Sequence, residues 1–149
     1  MTRLSHLGGV QRVAVSSTGT PVAPLGPDPR ALMARFVDLF YLRRQVRAAF
    51  ESCVVRTGFR DHDPSRPGGR QAAIELLAGK LADPAFGIEV ERVFVDGDRA
   101  VVHARVAFGG VQSQRMDLFR LADGRIVEHW GFVEAVASER PALPAGALT

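Results

Sequence analysis

The residue with the clearest chemical potential is Asp117, at the head of the run DLFRL; the partner run RIVEHW ends in Trp130, the chain's only tryptophan. Between them lies Asp123-Gly124, a dipeptide that favours a two-residue hairpin turn. Counting back from that turn pairs Leu121 with Ile126, Phe119 with Glu128 and Asp117 with Trp130. Period-two alternation then puts Arg115, Asp117, Phe119, Trp130 and Phe132 on one face of a sheet. A carboxyl desolvated among aromatic rings has a raised pKa and suits general acid/base work near neutral pH. The bland alternative is a solvated carboxylate paired with Arg115 or Arg120. An unpaired acid in an apolar pocket argues for chemistry, and an Asp117–Arg115 ion pair filling the cavity argues for a scaffold.

Other reactive residue types carry weaker signals. His103 lies in RAVVHARVAF, where Ala100, Val102, Ala104, Val106 and Phe108 share the cleaner apolar face. Alternation therefore turns His103, with Val101 and Arg105, to the opposite face, unless a bulge intervenes. His62 is flanked by Asp61 and Asp63, but no second ligand cluster stands at metal-binding spacing, so a turn built on Asp side chains is expected before Pro64. His129 alternates with Trp130 and is expected to point away from the pocket. Cys53 is the single cysteine and sits in the apolar run AAFESCVV; it reads as a buried thiol, and no internal disulfide can form.

The elements that must position these residues follow in chain order. Residues 1–27 read as a flexible N-terminal extension and 137–149 as a tail, both rich in Pro, Gly and small residues without a sustained period. Residues 28–136 read as one domain. Asp28 is a candidate N-cap with Pro29 at the first helical position. Apolar residues at helical spacing then run from Leu32 to about Val54, as one long helix or two with a bend near Arg43. RTGFRDHDPSRPGG supplies a stop, a short extended piece and a turn, and a further helix puts Ile74, Leu77 and Leu81 on one side before Pro84. Four strand-like runs follow, separated by DGD, GG and ADG, which predicts an antiparallel meander. Helices first and strands second is an α+β pattern, with the helices on one face of a curved antiparallel sheet of about four main strands.

Composition narrows the function. The 149 residues are 46% hydrophobic and 23% charged, with a formal net charge of +3, which is ordinary for a globular domain. The densest basic cluster, Arg43, Arg44 and Arg47, lies on a predicted helix without interleaved aromatics, so no nucleic-acid partner is expected. No apolar run approaches the ~20 residues that span a membrane, and no signal-peptide core is evident. A cytoplasmic location is the default expectation.

The hairpin DLFRLADGRIVEHW resembles the D-x-F/Y-R-x-x-D/N-G-K/R-I-V-E-H-W signature of SnoaL-like proteins, members of the nuclear transport factor 2-like superfamily of cone-shaped α+β domains. GFRDHDP is similar to that family's Tyr-x-x-His-x-Pro element, and VVHARV to its central strand. The similarity covers about residues 30–135. It implies a polyketide-cyclase- or isomerase-like enzyme, a lyase or isomerase, that closes rings by intramolecular aldol condensation with no metal and no cofactor. By position, the resemblance assigns the catalytic aspartate to Asp117 and an assisting histidine to His103; the residues that the expected register sets on the face of Asp117, Arg115, Phe119, Trp130 and Phe132, are then the expected substrate contacts. It also implies a hydrophobic small-molecule partner and a homodimer. Three departures stand out: Gly131 replaces the Asp of a common His-Trp-Asp ending, Cys53 takes a position often held by tyrosine, and the N-terminal extension is long. By the expected register Gly131 faces away from Asp117.

Two other functions compete. A limonene-epoxide-hydrolase-like reaction uses an Asp-Arg-Asp set, of which Arg115-x-Asp117 resembles one half. Its second aspartate would fall at Phe132, which disfavours it, with Glu134 a distant substitute. A non-catalytic ligand-binding or dimerisation domain would use the same cone as a scaffold.

Overall fold

The computed structural model describes residues 27–136 except Pro67. The proposed tail, and the extension apart from Pro27, lie outside the described residues. Helix α1 spans Pro29–Val37. It starts where expected, with Asp28 as N-cap accepting from the Arg30 amide at 2.9 Å. It runs into one π-type turn, Asp38–Leu42, closed by Arg43 N–H donating to the Asp38 carbonyl. A regular α-helix advances 100° per residue and would turn Tyr41 away from Phe40. The extra residue in this turn lets both face the interior. Arg44, at φ 57°, ends the helical path, and α2 follows at Val46–Cys53. Of the two helical arrangements left open, the chain adopts the broken one.

The two-residue strand β1 (Arg60–Asp61) precedes α3 (Arg70–Ala82). The meander follows: β2 (Gly87–Asp96), β3 (Arg99–Phe108), β4 (Val111–Ala122) and β5 (Arg125–Ala135). The sheet order is β1-β5-β4-β3-β2. All neighbours are antiparallel except β1, which lies parallel to β5 and sets Asp61 beside His129. The four-stranded meander is thus extended by a short fifth strand from the predicted extended piece.

The helices cover one sheet face. Met33, Phe36, Phe40 and Phe50 from the first two helices, and Ala73, Ile74, Leu77 and Leu81 from α3, are buried with Val102, Phe119 and Ile126 from the strands. Phe36 packs edge-on against Phe119 at 5.4 Å between ring centroids. Fully burying each such aromatic contributes roughly 1.5–3 kcal/mol.

Two single-residue bulges shape the sheet. Glu91 is the extra residue between β2 and β3, and Val127 the extra residue between β4 and β5. The hairpin turn is the expected one, with Asp123 at φ 49° and Gly124 at φ 70°, as a type I′ turn requires. Leu121 pairs with Ile126 as expected. Beyond it Val127 shifts the register, so Arg120 pairs with Glu128, Phe119 with His129, Leu118 with Trp130 and Asp117 with Gly131. The expected pairings of Asp117 with Trp130 and Phe119 with Glu128 are therefore incorrect by one residue. A one-residue shift exchanges the two faces of a strand.

Candidate functional site

On the helix-covered face, β4 contributes Ser113, Arg115, Asp117 and Phe119, and β5 contributes His129, Gly131 and Val133. Asp117 is 2% exposed and almost fully engaged. Its Oδ1 accepts from His129 Nε2 at 2.7 Å and Arg115 Nε at 2.9 Å. Its Oδ2 accepts from the Tyr41 hydroxyl at 2.7 Å and Arg115 Nε at 3.0 Å. Arg115 Nη2 also lies 2.8 Å from Oδ1 and donates to Asp63 Oδ2 at 3.0 Å.

The network continues behind Asp117. His129, 3% exposed, sets its Nδ1 2.8 Å from Asp61 Oδ1 while Nε2 faces Asp117. Two carboxylate acceptors on one ring require both nitrogens to carry protons, so His129 is an imidazolium here. Arg66 lies beside this group, with Nη1 3.2 Å from Asp61 Oδ2 and Nε 3.5 Å from Asp63 Oδ2. Three carboxylates thus face two guanidiniums and one imidazolium, a balanced set in which each buried charge has an opposite neighbour.

The pKa directions follow from that balance. Burial opposes ionisation of Asp117, but the His129 hydrogen bond and the Arg115 charge outweigh it and hold the carboxyl well below the usual range. Burial likewise opposes the charge on His129, and its bonds to Asp117 and Asp61 outweigh that cost and raise its pKa. Asp63 is held at about 2: burial is overcome by hydrogen bonds from Ser65 and Arg115. Asp61 is lowered against burial by the hydrogen bond and charge of His129 and the charge of Arg66. Burial is also the main cause that raises the Tyr41 hydroxyl, helped by the adjacent Asp117 charge. The expected desolvated acid with a raised pKa is thus overturned: Asp117 is desolvated, but its partners more than compensate. Of the two arrangements weighed from the sequence, the Asp117–Arg115 ion pair that argues for a scaffold is the one present, although it lines the cavity without filling it.

A cavity of about 210 Å³ opens against this network. Its apolar wall includes Phe40, Leu77, Leu81, Phe86, Ile88 and Val106, and its polar end is formed by Tyr41, Arg66, Lys80, Ser113, Arg115 and Asp117. Phe119 lies deeper, with Asp117 and His129, around a narrower space beneath Phe36 and Phe50.

Several assigned residues lie elsewhere. His103 faces the outer side of the sheet, where its Nε2 is 2.7 Å from Gln114 Oε1. The β3–β4 ladder runs without a bulge, so alternation decides its direction, and a catalytic role at Asp117 is excluded by position. The Val127 bulge turns Trp130 outward, where it stacks on His62 at 4.7 Å between centroids. Phe132, 59% exposed, is on the same outer face. Neither aromatic contacts the cavity. His129, expected to point away, occupies the place assigned to Trp130.

Gly131 is also reversed. It faces the network, and a Cβ there would come within 2.5 Å of both Arg115 Nη2 and Asp63 Oδ2. The backbone of β5 is bare at this point because the Asp63–Arg115 ion pair fills the space. Cys53 is a buried core residue, and the hydroxyl that reaches Asp117 belongs to Tyr41.

The expected Asp-based turn is present: Asp61 Oδ1 accepts from Asp63 N–H at 3.0 Å, and Asp63 Oδ1 accepts from Ser65 N–H at 2.9 Å. The sequence reading missed that the same carboxylates reach the site. It also missed Tyr41 and Arg66. The one usable signal was the pair Phe40-Tyr41 within a helical run, two large aromatics that a regular helix cannot bury side by side.

The architecture is that of the nuclear transport factor 2-like folds. A structure of such a protein of unknown function from Mesorhizobium loti is 32% identical, with a TM-score of 0.61, covering 72% of this chain and 96% of that one. A Jannaschia protein described as a SnoaL-like polyketide cyclase is 26% identical, with a TM-score of 0.58, covering 78% and 92%. A Kribbella flavida protein described as a ketosteroid isomerase shares the fold at 20% identity and a TM-score of 0.59, covering 75% and 82%. The sequence profile of the SnoaL-like domain matches residues 33–129, and the chain belongs to that family. No curated protein matches the sequence. No helix among the described residues is long and apolar enough to cross a membrane.

Proposed function

We propose that the cavity binds a hydrophobic carbonyl compound and that the protein catalyses cofactor-independent proton transfer next to the carbonyl, in an aldol-type cyclisation or an isomerisation. The observation that carries this reading is an apolar cavity ending on Asp117, with two hydrogen-bond donors, Tyr41 and Arg115, beside it.

At rest those donors hold Asp117 as a weak base. A carbonyl oxygen entering the polar end competes for them. As Tyr41 and Arg115 turn to that oxygen, Asp117 loses donors and its basicity rises. The carboxylate then takes a proton from the adjacent carbon; the C–H electron pair moves into the enolate, whose oxygen charge is met by Arg115. Asp117 returns the proton to the alkoxide formed on ring closure, or to a different carbon in an isomerisation. His129 is a positioning residue: both nitrogens are occupied by carboxylates, so it fixes Asp117 rather than touching substrate.

The test is deuterium incorporation into 2-tetralone in D2O, followed by NMR. The wild type should accelerate exchange above buffer, and Asp117→Asn should lose about 10²–10⁴ of that rate. Equal exchange by the two proteins overturns the mechanism. Bound ketone without exchange in the wild type assigns the cavity to ligand binding alone.

A second reading has its own observation. Arg115 stands between Asp63 and Asp117, an Asp-Arg-Asp grouping of the kind used to open epoxides with water. Phe132 stands where the second acid of that set is expected from the sequence; a carboxylate, Asp63, comes instead from the loop after β1. Hydrolysis of a hydrophobic epoxide abolished equally by Asp63→Asn and Asp117→Asn would favour this chemistry over enolisation.

For partners, the exposed Phe94, Met116 and Phe132 of the outer sheet face support a second copy of the chain as the occupant of that face.

A further inference from the structure

We propose that the ligand of this cavity carries an anionic oxygen group, a carboxylate or an acidic enol or phenol, bound between Lys80, Ser113 and the free ends of Arg66 and Arg115. This deepens the reading above by naming the substrate class, and it rests on that reading only in taking the same cavity as the site.

The polar end of the cavity is almost entirely made of donors. Asp117 is its one carboxylate, and both of its oxygens already accept two hydrogen bonds. It has little capacity left for a ligand's N–H or O–H. The guanidiniums are less fully used. Arg115 engages Asp117 and Asp63 through Nε and Nη2, which leaves Nη1 without a partner among the described residues. Arg66 engages Asp61 and Asp63 through Nη1 and Nε, which leaves Nη2 without a partner among the described residues. Among the described residues Arg70 Nε is the side-chain nitrogen buried without a partner, so these two guanidinium ends are not sealed in.

Charge adds to geometry. The inner network is balanced, three carboxylates against Arg66, Arg115 and the His129 imidazolium. Lys80, the chain's only lysine, is additional. It lies on the last turn of α3, lines the same cavity, and rests its ammonium 5.5 Å from the centre of the Phe86 ring. No carboxylate pairs with it among the described residues. Burial, with the Arg115 and Arg66 charges acting through the cavity, lowers its pKa against the smaller opposing pull of Asp63. A cavity with apolar walls, spare N–H donors and one uncompensated cation complements an amphiphilic anion. A neutral hydrocarbon ketone would leave the spare guanidinium donors unmet and would gain nothing from Lys80, which is exposed to solvent at the cavity lining.

Calorimetric titration of the full-length protein with 2-naphthoate and with its methyl ester tests this, since the two share a ring system and differ in charge. Naphthoate should bind about tenfold more tightly than the ester. In Lys80→Met, which keeps the apolar stem, that preference should fall towards one. Arg66 and Arg115 are left intact because their loss would disrupt the buried network. Equal affinity for the two probes, or a preference unchanged in Lys80→Met, overturns the proposal. Tetralone exchange is read separately. A protein that prefers naphthoate but does not exchange tetralone fails the proton-transfer reading alone, and one that exchanges without the preference fails this one alone.

Discussion

The two faces of the β4–β5 hairpin are built from neighbouring residues of the same strands and have opposite characters. The inner face carries Arg115, Asp117 and His129 in a largely buried network with Tyr41, Asp61, Asp63 and Arg66. The outer face carries Met116, Leu118, Trp130 and Phe132, with His62 stacked on Trp130 and Glu128 accepting from His62 and Arg120. Each face has a histidine near a carboxylate. Inside, both ring nitrogens of His129 are committed and the ring is charged. Outside, the His62–Glu128 pair is partly solvated and screened, and such pairs contribute little. The difference shows that burial and partner count, not residue type, separate a candidate site from a surface.

That contrast can be broken most severely at Asp117. Asp117→Asn removes the anion shared by Arg115 and His129 and leaves two buried cations short of a partner. It should cost about 3–5 kcal/mol in urea unfolding, whereas outer-face changes should not approach this. Next comes Gly131→Ala, whose methyl group collides with Arg115 and Asp63. Overpacking of this kind costs about 1–3 kcal/mol, and it should also lower tetralone exchange because Arg115 is displaced.

The pH dependence of stability sharpens the comparison further. His129 is raised above its ordinary 6.5, so its contribution is complete below that pH and is lost as pH rises through the raised value. Asp61, Asp63 and Asp117 are lowered from 3.8, so their contributions are complete above it and fade as pH falls through the depressed values. Thermal unfolding should therefore peak between about 4 and 6.5 and decline on both sides. In His129→Gln the alkaline decline should disappear. The smallest effect is expected at His103→Ala, within about 0.5 kcal/mol of wild type and without change in exchange rate. Phe132→Glu should be equally mild on the folded chain, but should convert a dimer to a monomer in sedimentation equilibrium if the outer face holds a second copy.

Much of this architecture was legible in the sequence, because helices, turns and meander each follow from local signals: Asp28-Pro29, the apolar spacing through Phe50, and Asp123-Gly124. Alternation grouped Asp117 with Arg115 and Phe119 on one face of β4, as observed, but did not by itself decide that this face is the covered one. What failed was set by single extra residues. A bulge at Val127 has no turn dipeptide or proline to announce it, yet it sends His129 inward and Trp130 and Phe132 outward. The π-type turn that brings in Tyr41 has only the adjacent Phe40-Tyr41 pair to mark it. Asp61 and Asp63 were visible as turn formers, but their approach to the site depends on β1 joining β5, a contact between residues 68 positions apart.

The bare backbone at Gly131 has a consequence for how such chains can vary. The carboxylate that would occupy position 131 in a His-Trp-Asp ending is replaced here by one delivered from position 63, so the two positions compete for one volume and one guanidinium. They should behave as a reciprocal pair: an acid at 131 is tolerated when 63 is small and neutral, and the reverse. The double variant Gly131→Asp with Asp63→Ala should then recover stability that each change alone forfeits, which would make the location of this charge exchangeable between strand and loop.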